Sequence, residues 1–277
     1  MIRKTLIALA AITALLAWKV WSDTMSDPVV ERLVVTSDAL PAGAQPITIA
    51  LVADIHMAGP DMPPERVERI VNQTNSLGAD IIAVAGDLVS EKRTGTRHYS
   101  PSEVIAPLGR LAARDGVVLV PGNHDHWYGW PELARELKKF PHIIVMRNEA
   151  GQFGRLAIGG MDDDFTGNHD LQATLGAMEG LSGPRVMLTH TPDLFPQMPD
   201  DIALMMAGHT HCGQLRYPWG GSPVQMSQYG DKYACGVVKE EGKTLVTSAG
   251  LGTSVLPLRF LTRPELWLIE IRPQTTQ

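Results

Sequence analysis

From residue 47 onward the chain alternates between short apolar runs and stretches in which apolar residues recur every three or four positions. Ile47 to Ala53, Ile81 to Ala85 and Val117 to Val120 are continuous apolar runs, each of strand length. Between the first two, Pro64 to Leu77 places Val67, Ile70, Val71, Thr74 and Leu77 on one helical stripe, with proline near the first turn. Pro101 to Ala113 predicts a second helix and Pro131 to Lys139 a third. Strands alternating with helices predict parallel pairing through crossovers, and therefore an α/β fold. After Ile143 to Met146 the rhythm changes. Arg155 to Gly160, Arg185 to Thr189, Ile202 to Ala207 and Thr244 to Ser248 read as a second set of strands with fewer helices between them. Two sheets face to face with helices outside accommodate both sets.

The N-terminus follows a different pattern. Arg3 and Lys4 precede an apolar stretch from Leu6 to Ala17, which Trp18, Val20 and Trp21 extend around Lys19. Residues 1–22 therefore predict a membrane anchor or an export signal. A span needs about 20 apolar residues, so this one is short. The lack of a small-x-small cleavage site and the two tryptophans favour an uncleaved anchor. The basic start favours a cytoplasmic N-terminus, with the rest of the chain on the outer side of the membrane. Lys19 and Arg32 weaken that bias and keep the cytoplasmic side open. A buried first helix of a soluble protein is the alternative. Residues 23–46, polar and proline-punctuated, read as a linker and a first strand around Arg32 to Thr36; residues 47–277 read as one domain.

Composition narrows the function classes. A formal net charge of -6 supplies no basic field for a polyanion, which argues against a nucleic-acid partner. Cys212 and Cys235 are too few for a disulfide framework and say little about redox compartment.

The chemistry lies at the ends of the apolar runs. Asp54-Ile-His56 follows the first run, Gly86-Asp87 the second and Gly122-Asn123-His124-Asp125 the third. His190 and Gly208-His209-Thr-His211 follow two later runs. In parallel sheets the ligand site lies beyond the carboxyl ends of the strands. In an extended segment residues two apart share a side, so Asp54 and His56 can reach one cation together. A carboxylate such as Asp87 can bridge two cations. Asn123 offers a neutral oxygen, His124 is placed to transfer a proton, and Asp125 is placed to hold the His124 ring in one tautomer. Together the clusters supply oxygen and nitrogen ligands for two adjacent divalent ions, the arrangement used to hydrolyse phosphate esters. Mixed Asp, Asn and His donors suit Mn, Fe, Zn or Co.

This ordered set resembles the calcineurin-like metallophosphoesterase family, over about residues 47 to 271. The string Ala207-Gly-His-Thr-His-Cys-Gly-Gln-Leu-Arg-Tyr-Pro218, with Gly250-Leu-Gly-Thr-Ser254 and Pro257-Leu-Arg259-Phe, is similar to a subgroup of membrane-anchored bacterial phosphodiesterases. That subgroup includes pyrophosphatases of UDP-2,3-diacylglucosamine in lipid A synthesis. The resemblance implies a four-layer α-β-β-α sandwich of two mixed sheets. It implies one ion on Asp54, His56, Asp87 and His211, and a second on Asp87, Asn123, His190 and His209. It further implies a hydrolase that cleaves phosphodiester or pyrophosphate bonds by attack of a hydroxide bridging the ions, with His124 assisting the leaving oxygen. Phosphomonoesterase, nucleotidase or phosphoprotein phosphatase activity is the alternative among enzymes, and a metal-bearing scaffold the alternative outside them.

Other polar residues are weaker candidates. His126 and Arg259 are candidate substrate contacts, Arg259 because a guanidinium binds phosphate through two donors. His98 is expected to be solvated, although its loop could border the cleft, and His142 to be structural. His169 is expected in an acidic solvated turn with Asp162, Asp163 and Asp164. Cys212 adjoins His211 but has no vacancy to fill in a complete ligand shell.

Overall fold

The apolar runs become the central strands of two stacked sheets. The computed structural model describes residues 1–274. One six-stranded sheet runs in the order β1 (Val29–Ser37), β12 (Glu265–Pro273), β2 (Ile47–Val52), β3 (Ile81–Ala85), β4 (Val117–Val120), β5 (Ile143–Val145). Strands β2 to β5 are parallel, whereas β12 is antiparallel to β2 and parallel to β1. The other six-stranded sheet runs β10 (Gly236–Glu240), β11 (Lys243–Thr247), β9 (Ile202–Ala207), β8 (Arg185–Leu188), β7 (Leu156–Gly160), β6 (Glu149–Phe153). Its four inner strands are parallel and its two edge strands antiparallel to their neighbours. Both sheets are mixed and helices flank them, the predicted sandwich.

Strand alternation explains why the runs are apolar throughout. Ile49, Leu51, Ile81, Ala83, Val118 and Val120 face the other sheet, where they meet Ile158, Val186, Leu188, Leu204 and Met206. Their neighbours Ala50, Val52, Ile82, Val84 and Leu119 face outward, onto Val67, Ile70 and Val71 of α2 (Pro64–Ser76), Val104 of α3 (Pro101–Leu108) and Leu133 of α4 (Asn123–Leu137). A strand covered on both faces has no polar side to show. On the far side Met187, Met205 and Leu245 pack in a smaller cluster with Leu194 and Phe195, beside α5 (Leu171–Ala177).

Several boundaries differ from expectation. Helix α3 stops at Leu108: Gly109 N still bonds back to Ile105 O, but Arg110 N and Leu111 N bond to Pro107 O and Leu108 O, three residues back, so the chain tightens into successive turns through Leu111. Helix α4 starts at Asn123 rather than Pro131 and kinks at Gly129, whose φ of 133 only glycine takes readily. Strands β6 and β10 and helix α5 carry no clear period in the sequence; β12, with the apolar run Leu266 to Ile269 and the alternation Ile269-Glu-Ile271-Arg, is a further strand that the expected set lacks.

Helix α1 (Ile2–Met25) is exposed along its apolar length, yet Asp23 and Thr24 at its end are buried against the domain. Strand β1 pairs with β12 along all its residues, so the segment read as a linker and first strand adds an edge to the sheet. Cys212 and Cys235, which the composition left uninformative, form a disulfide with a Cα–Cα distance of 4.6 Å.

Candidate metal centre

The loops after β2 and β3 lie side by side. Asp54 N donates to Gly86 O at 3.1 Å, His56 N to Asp87 O at 2.9 Å and Met57 N to Leu88 O at 3.0 Å. The Asp54–His56 segment is not extended, as the two-residue spacing predicts, because both residues have left-handed backbones (φ 51 and 47). Asp87, His209 and His211 share that conformation, with φ of 54, 69 and 52. Such angles are unfavourable for residues with a side chain, and a cluster of them marks a functional site. Glycines make the close approach possible. A side chain at Gly122 would strike Asp87 Oδ1, and one at Gly208 or Gly250 would strike the Asp54 carboxylate.

Seven buried side chains converge. His56 Nε2 lies 3.0 Å from His211 Nε2 and 3.3 Å from Asp87 Oδ2, and His211 Nε2 lies 3.7 Å from Asp54 Oδ1. On the other side of Asp87, His190 Nε2 is 3.2 Å from Asp87 Oδ2 and 3.0 Å from Asn123 Oδ1. His209 Nδ1 is 2.9 Å from the same Asn123 oxygen and 3.1 Å from His190 Nε2. His190 is oriented by its other nitrogen, Nδ1, which donates to Ala85 O at 2.8 Å. Asp54 is oriented by the His209 backbone N–H, 2.9 Å from Oδ1. Two groups, Asp54–His56–His211 and Asp87–His190–His209, thus offer clustered ligand atoms, with Asp87 also near His56.

The electrostatics fit cations. Burial pushes the Asp54 carboxyl up to about 7, against the pull of His190. Burial also opposes ionisation of Asp87, but His190 and His56 hold it well below the usual carboxylate range. In return Asp87 overrides the burial of His190 and holds that ring well above the ordinary imidazole value. Burial drives His56 and His211 far below that value and takes His209 down to about 3. Neutral imidazoles, an amide oxygen and carboxylates are lone-pair donors, and such atoms about 3 Å apart repel unless positive charge lies between them. A proton on His190 supplies one such charge; divalent ions supply more, to a donor set suited to transition metals.

Beside this group lies a cleft of about 360 Å³ lined by Asp87, Asn123, His124 and His209, and on the outer side by Leu215 and Leu256. His124 stands at its edge. Its backbone N–H donates to Asp87 Oδ1 at 2.9 Å, its ring meets His56 edge-on at 4.7 Å, and Nε2 lies 3.4 Å from Ser254 Oγ.

A model of the calcineurin-like phosphoesterase family matches residues 47–213, more than half of the chain. The chain belongs to that family. It is a metal-dependent phosphoric ester hydrolase, of a family in which binuclear metal centres are typical. It is similar to an uncharacterized metallophosphoesterase, YkuE, of Bacillus subtilis, at 28% identity over 86% of this chain and 83% of the relative. It is 29% identical to phosphodiesterase YaeI of Escherichia coli over 82% of this chain and 83% of that one. A transmembrane protein with a metallophosphoesterase domain from Danio rerio is 29% identical over 98% of this chain, which spans 63% of that relative.

Four expectations are corrected. Asp125 does not touch the His124 ring. It is fully buried and accepts from the backbone N–H groups of Asp87 (2.9 Å), Leu88 (2.8 Å) and Gly122 (2.9 Å), tying two ligand loops together. Burial and the neighbouring Asp87 push its carboxyl up to about 7. Arg259 does not face the cleft: it is buried and donates to Ala249 O at 2.7 Å and to Gly252 O, supporting the segment that passes behind Asp54. His126 turns away to Asp162 Oδ1 at 2.7 Å. Asp162 and Asp163 are buried rather than in a solvated turn. His169 pairs with Asp164 at 2.9 Å, while His98 and His142 reach the Lys92 and Leu111 carbonyls. The residue missed by sequence reasoning is Glu91, whose two oxygens hold His124 Nδ1. Only its place in a polar loop bordering the cleft hinted at it.

Proposed function

We propose that Asp54, His56, Asp87 and His211 hold one divalent ion, that Asp87, Asn123, His190 and His209 hold a second, and that the enzyme cleaves phosphodiester or pyrophosphate bonds of a membrane-lipid-linked substrate. The observation that carries the reading is the convergence of seven buried donors on both sides of Asp87, open to a cleft with an apolar outer wall. When bound, the ions supply Lewis acidity toward the phosphoryl oxygens and a nucleophile from water. The protein supplies the rest. His124, fixed through Nδ1 by Glu91, presents Nε2 to the cleft and gives its proton to the leaving oxygen. Leu215, Val224, Val255 and Leu256 give an apolar wall for the organic group of an ester, which bare phosphate monoesters of small alcohols would leave unused.

Helix α1 serves as the anchor in this reading. It is long and apolar enough to cross a membrane, with a mean hydropathy of 1.6. The Cys212–Cys235 disulfide supports an oxidising compartment and the Arg3-Lys4 start supports a cytoplasmic N-terminus, and both favour the periplasmic side of a bacterial inner membrane. UDP-2,3-diacylglucosamine is handled on the cytoplasmic side, so that placement favours a phosphate ester of an outer-leaflet lipid instead. A reporter fused at Gln277 decides between the sides; a cytoplasmic signal restores the nucleotide-linked lipid.

The decisive experiment is a screen of protein loaded with Mn, Fe, Zn or Co against diesters, pyrophosphates and monoesters, with metal content measured alongside. Turnover of diesters or pyrophosphates is expected, and turnover of monoesters alone would overturn the reading. His211→Ala is expected to retain at most one tightly held ion.

A further inference from the structure

The end of α1 is hydrogen-bonded to the loop that walls the cleft. Asp23 Oδ2 accepts from Leu261 N at 3.1 Å, and Thr24 Oγ1 accepts from Arg259 N at 2.7 Å. Arg66, itself buried, donates to Thr24 O and Ser26 O at 2.9 Å each and fixes the same turn to α2. Helix α1 therefore meets the domain through a joint tied by four hydrogen bonds. Thr24 follows Trp21 by three residues, about 5 Å along a helix axis. Trp18 and Trp21 are exposed and of the type that sits at headgroup level. With α1 as a span, a domain tied that close to its end would bring the surface around Leu261 to the bilayer.

That surface is apolar. Leu261 leads back to Phe260, whose carbonyl accepts from Arg216 N at 3.0 Å, so the 254–261 loop and the 214–229 loop lie together. Gln214 binds them further, donating to Leu256 O and Leu258 O at 2.8 Å each. From these two loops project Trp219, exposed to 81%, Val255, exposed to 73%, and Tyr217, Val224 and Leu256. Tyr217 and Trp219 stack with centroids 5.2 Å apart, a pair of aromatic rings with no core to cover. Exposed apolar groups gathered in one place mark an interaction surface. Val224, Val255 and Leu256 also line the cleft beside the ligand cluster.

We propose that the 214–229 and 254–261 loops form a lipid-docking face that lies in the same bilayer surface as the end of α1, so that the cleft opens onto the membrane. This rests on the reading of α1 as a span. The bilayer is the occupant because the joint at Asp23 and Thr24 leaves these loops no distance from it. The apolar rim then has a second use: the acyl part of a lipid ester can stay among apolar side chains while its phosphate reaches the donors around Asp87.

The test uses the full chain in vesicles of phosphatidylethanolamine and phosphatidylglycerol. The native cysteines are paired, so a single introduced cysteine is the free thiol for a spin label. Trp219→Cys and Val255→Cys probe the face at two very exposed positions. Leu9→Cys probes α1, and Ile144→Cys, on the sheet edge farthest from β1, is the aqueous reference. Labels at 219 and 255 are expected to collide with oxygen, relative to a water-soluble nickel complex, several-fold more than the label at 144. If position 9 lies in lipid while 219 and 255 match 144, the docking face is overturned and the anchor stands. If position 9 is aqueous as well, both fall. The readout needs no substrate, so failure to turn over a lipid ester leaves the docking result intact.

Discussion

Glu91 presents both carboxylate oxygens to His124 Nδ1 at 2.8 Å, and no other carboxylate reaches that nitrogen among the described residues. Burial disfavours the charged ring, yet the Glu91 bond, with Asp87 nearby, holds the His124 pKa above the ordinary imidazole value. The carboxylate also fixes the ring so that Nε2 faces the cleft.

Glu91→Gln keeps the size of the side chain and removes the charge. Outer partners of this kind matter by roughly 10-fold to 100-fold in activity. The expected result is a fall in kcat of that order, with KM and metal content unchanged, read from steady-state kinetics and elemental analysis. A variant with unchanged kcat would remove Glu91 from the account of His124.

Gly122→Ala tests the close packing of the ligand loops. The added methyl would meet Asp87 Oδ1, the Asp87 backbone nitrogen and the His190 ring, none of which can retreat without disturbing the donors. The variant is expected to fold with a loss of about 1–3 kcal/mol from overpacking and to hold much less metal than the wild type. Equal metal content in the two proteins would show that the loops have slack.

The legible part of this molecule is the part buried on both sides. Ile81 to Ala85, Val117 to Val120 and Ile202 to Ala207 are read at their observed limits because a strand covered on both faces is a bare apolar run. The polar clusters at their ends are legible for the same topological reason. A strand with one open face is harder to read: β10, with Lys239 and Glu240 among five residues, faces solvent and follows no buried pattern. Roles decided by side-chain direction were also hidden. Asp125 sits beside His124 in sequence but reaches back to three amides, whereas Glu91, 33 positions away, reaches the ring. Arg259 looks like a phosphate ligand until it is seen to be buried among carbonyls.

Cys212 follows His211 directly, and both have left-handed backbones. The bridge to Cys235 closes a loop with a sequence separation of 23, for which the chain-entropy model gives a stabilisation of about 3 kcal/mol. Cys235→Ser is therefore expected to lower stability by about that amount in urea and, under the proposed ligand assignment, to weaken retention of an ion at His211 more than one at His190. Equal stability of the oxidised and reduced wild type would show that the bridge constrains nothing.

Asp162 gives a stability prediction with a pH signature. Its side chain is 2% exposed and accepts from Arg147 Nε at 2.6 Å and pairs with His126 at 2.7 Å. Burial would raise its pKa, but the bond to His126, the Asp163 backbone N–H and Arg147 together lower it below 3.8. A carboxyl whose folded pKa is depressed adds stability that is fully present above its unfolded pKa, about 3.9, and is lost as pH falls through the folded value. Asp162→Asn is expected to cost about 2 kcal/mol near pH 7, in the range for hydrogen bonds to a charged group; the exposed end of Arg147 argues against a larger figure. The gap between wild type and variant should hold steady from pH 7 to about pH 4 and narrow only below it. Denaturant melts across that range check the sign. A gap that narrows above pH 5, or none at pH 7, would mean that the Asp162 charge does not hold the Arg147–His126 corner together.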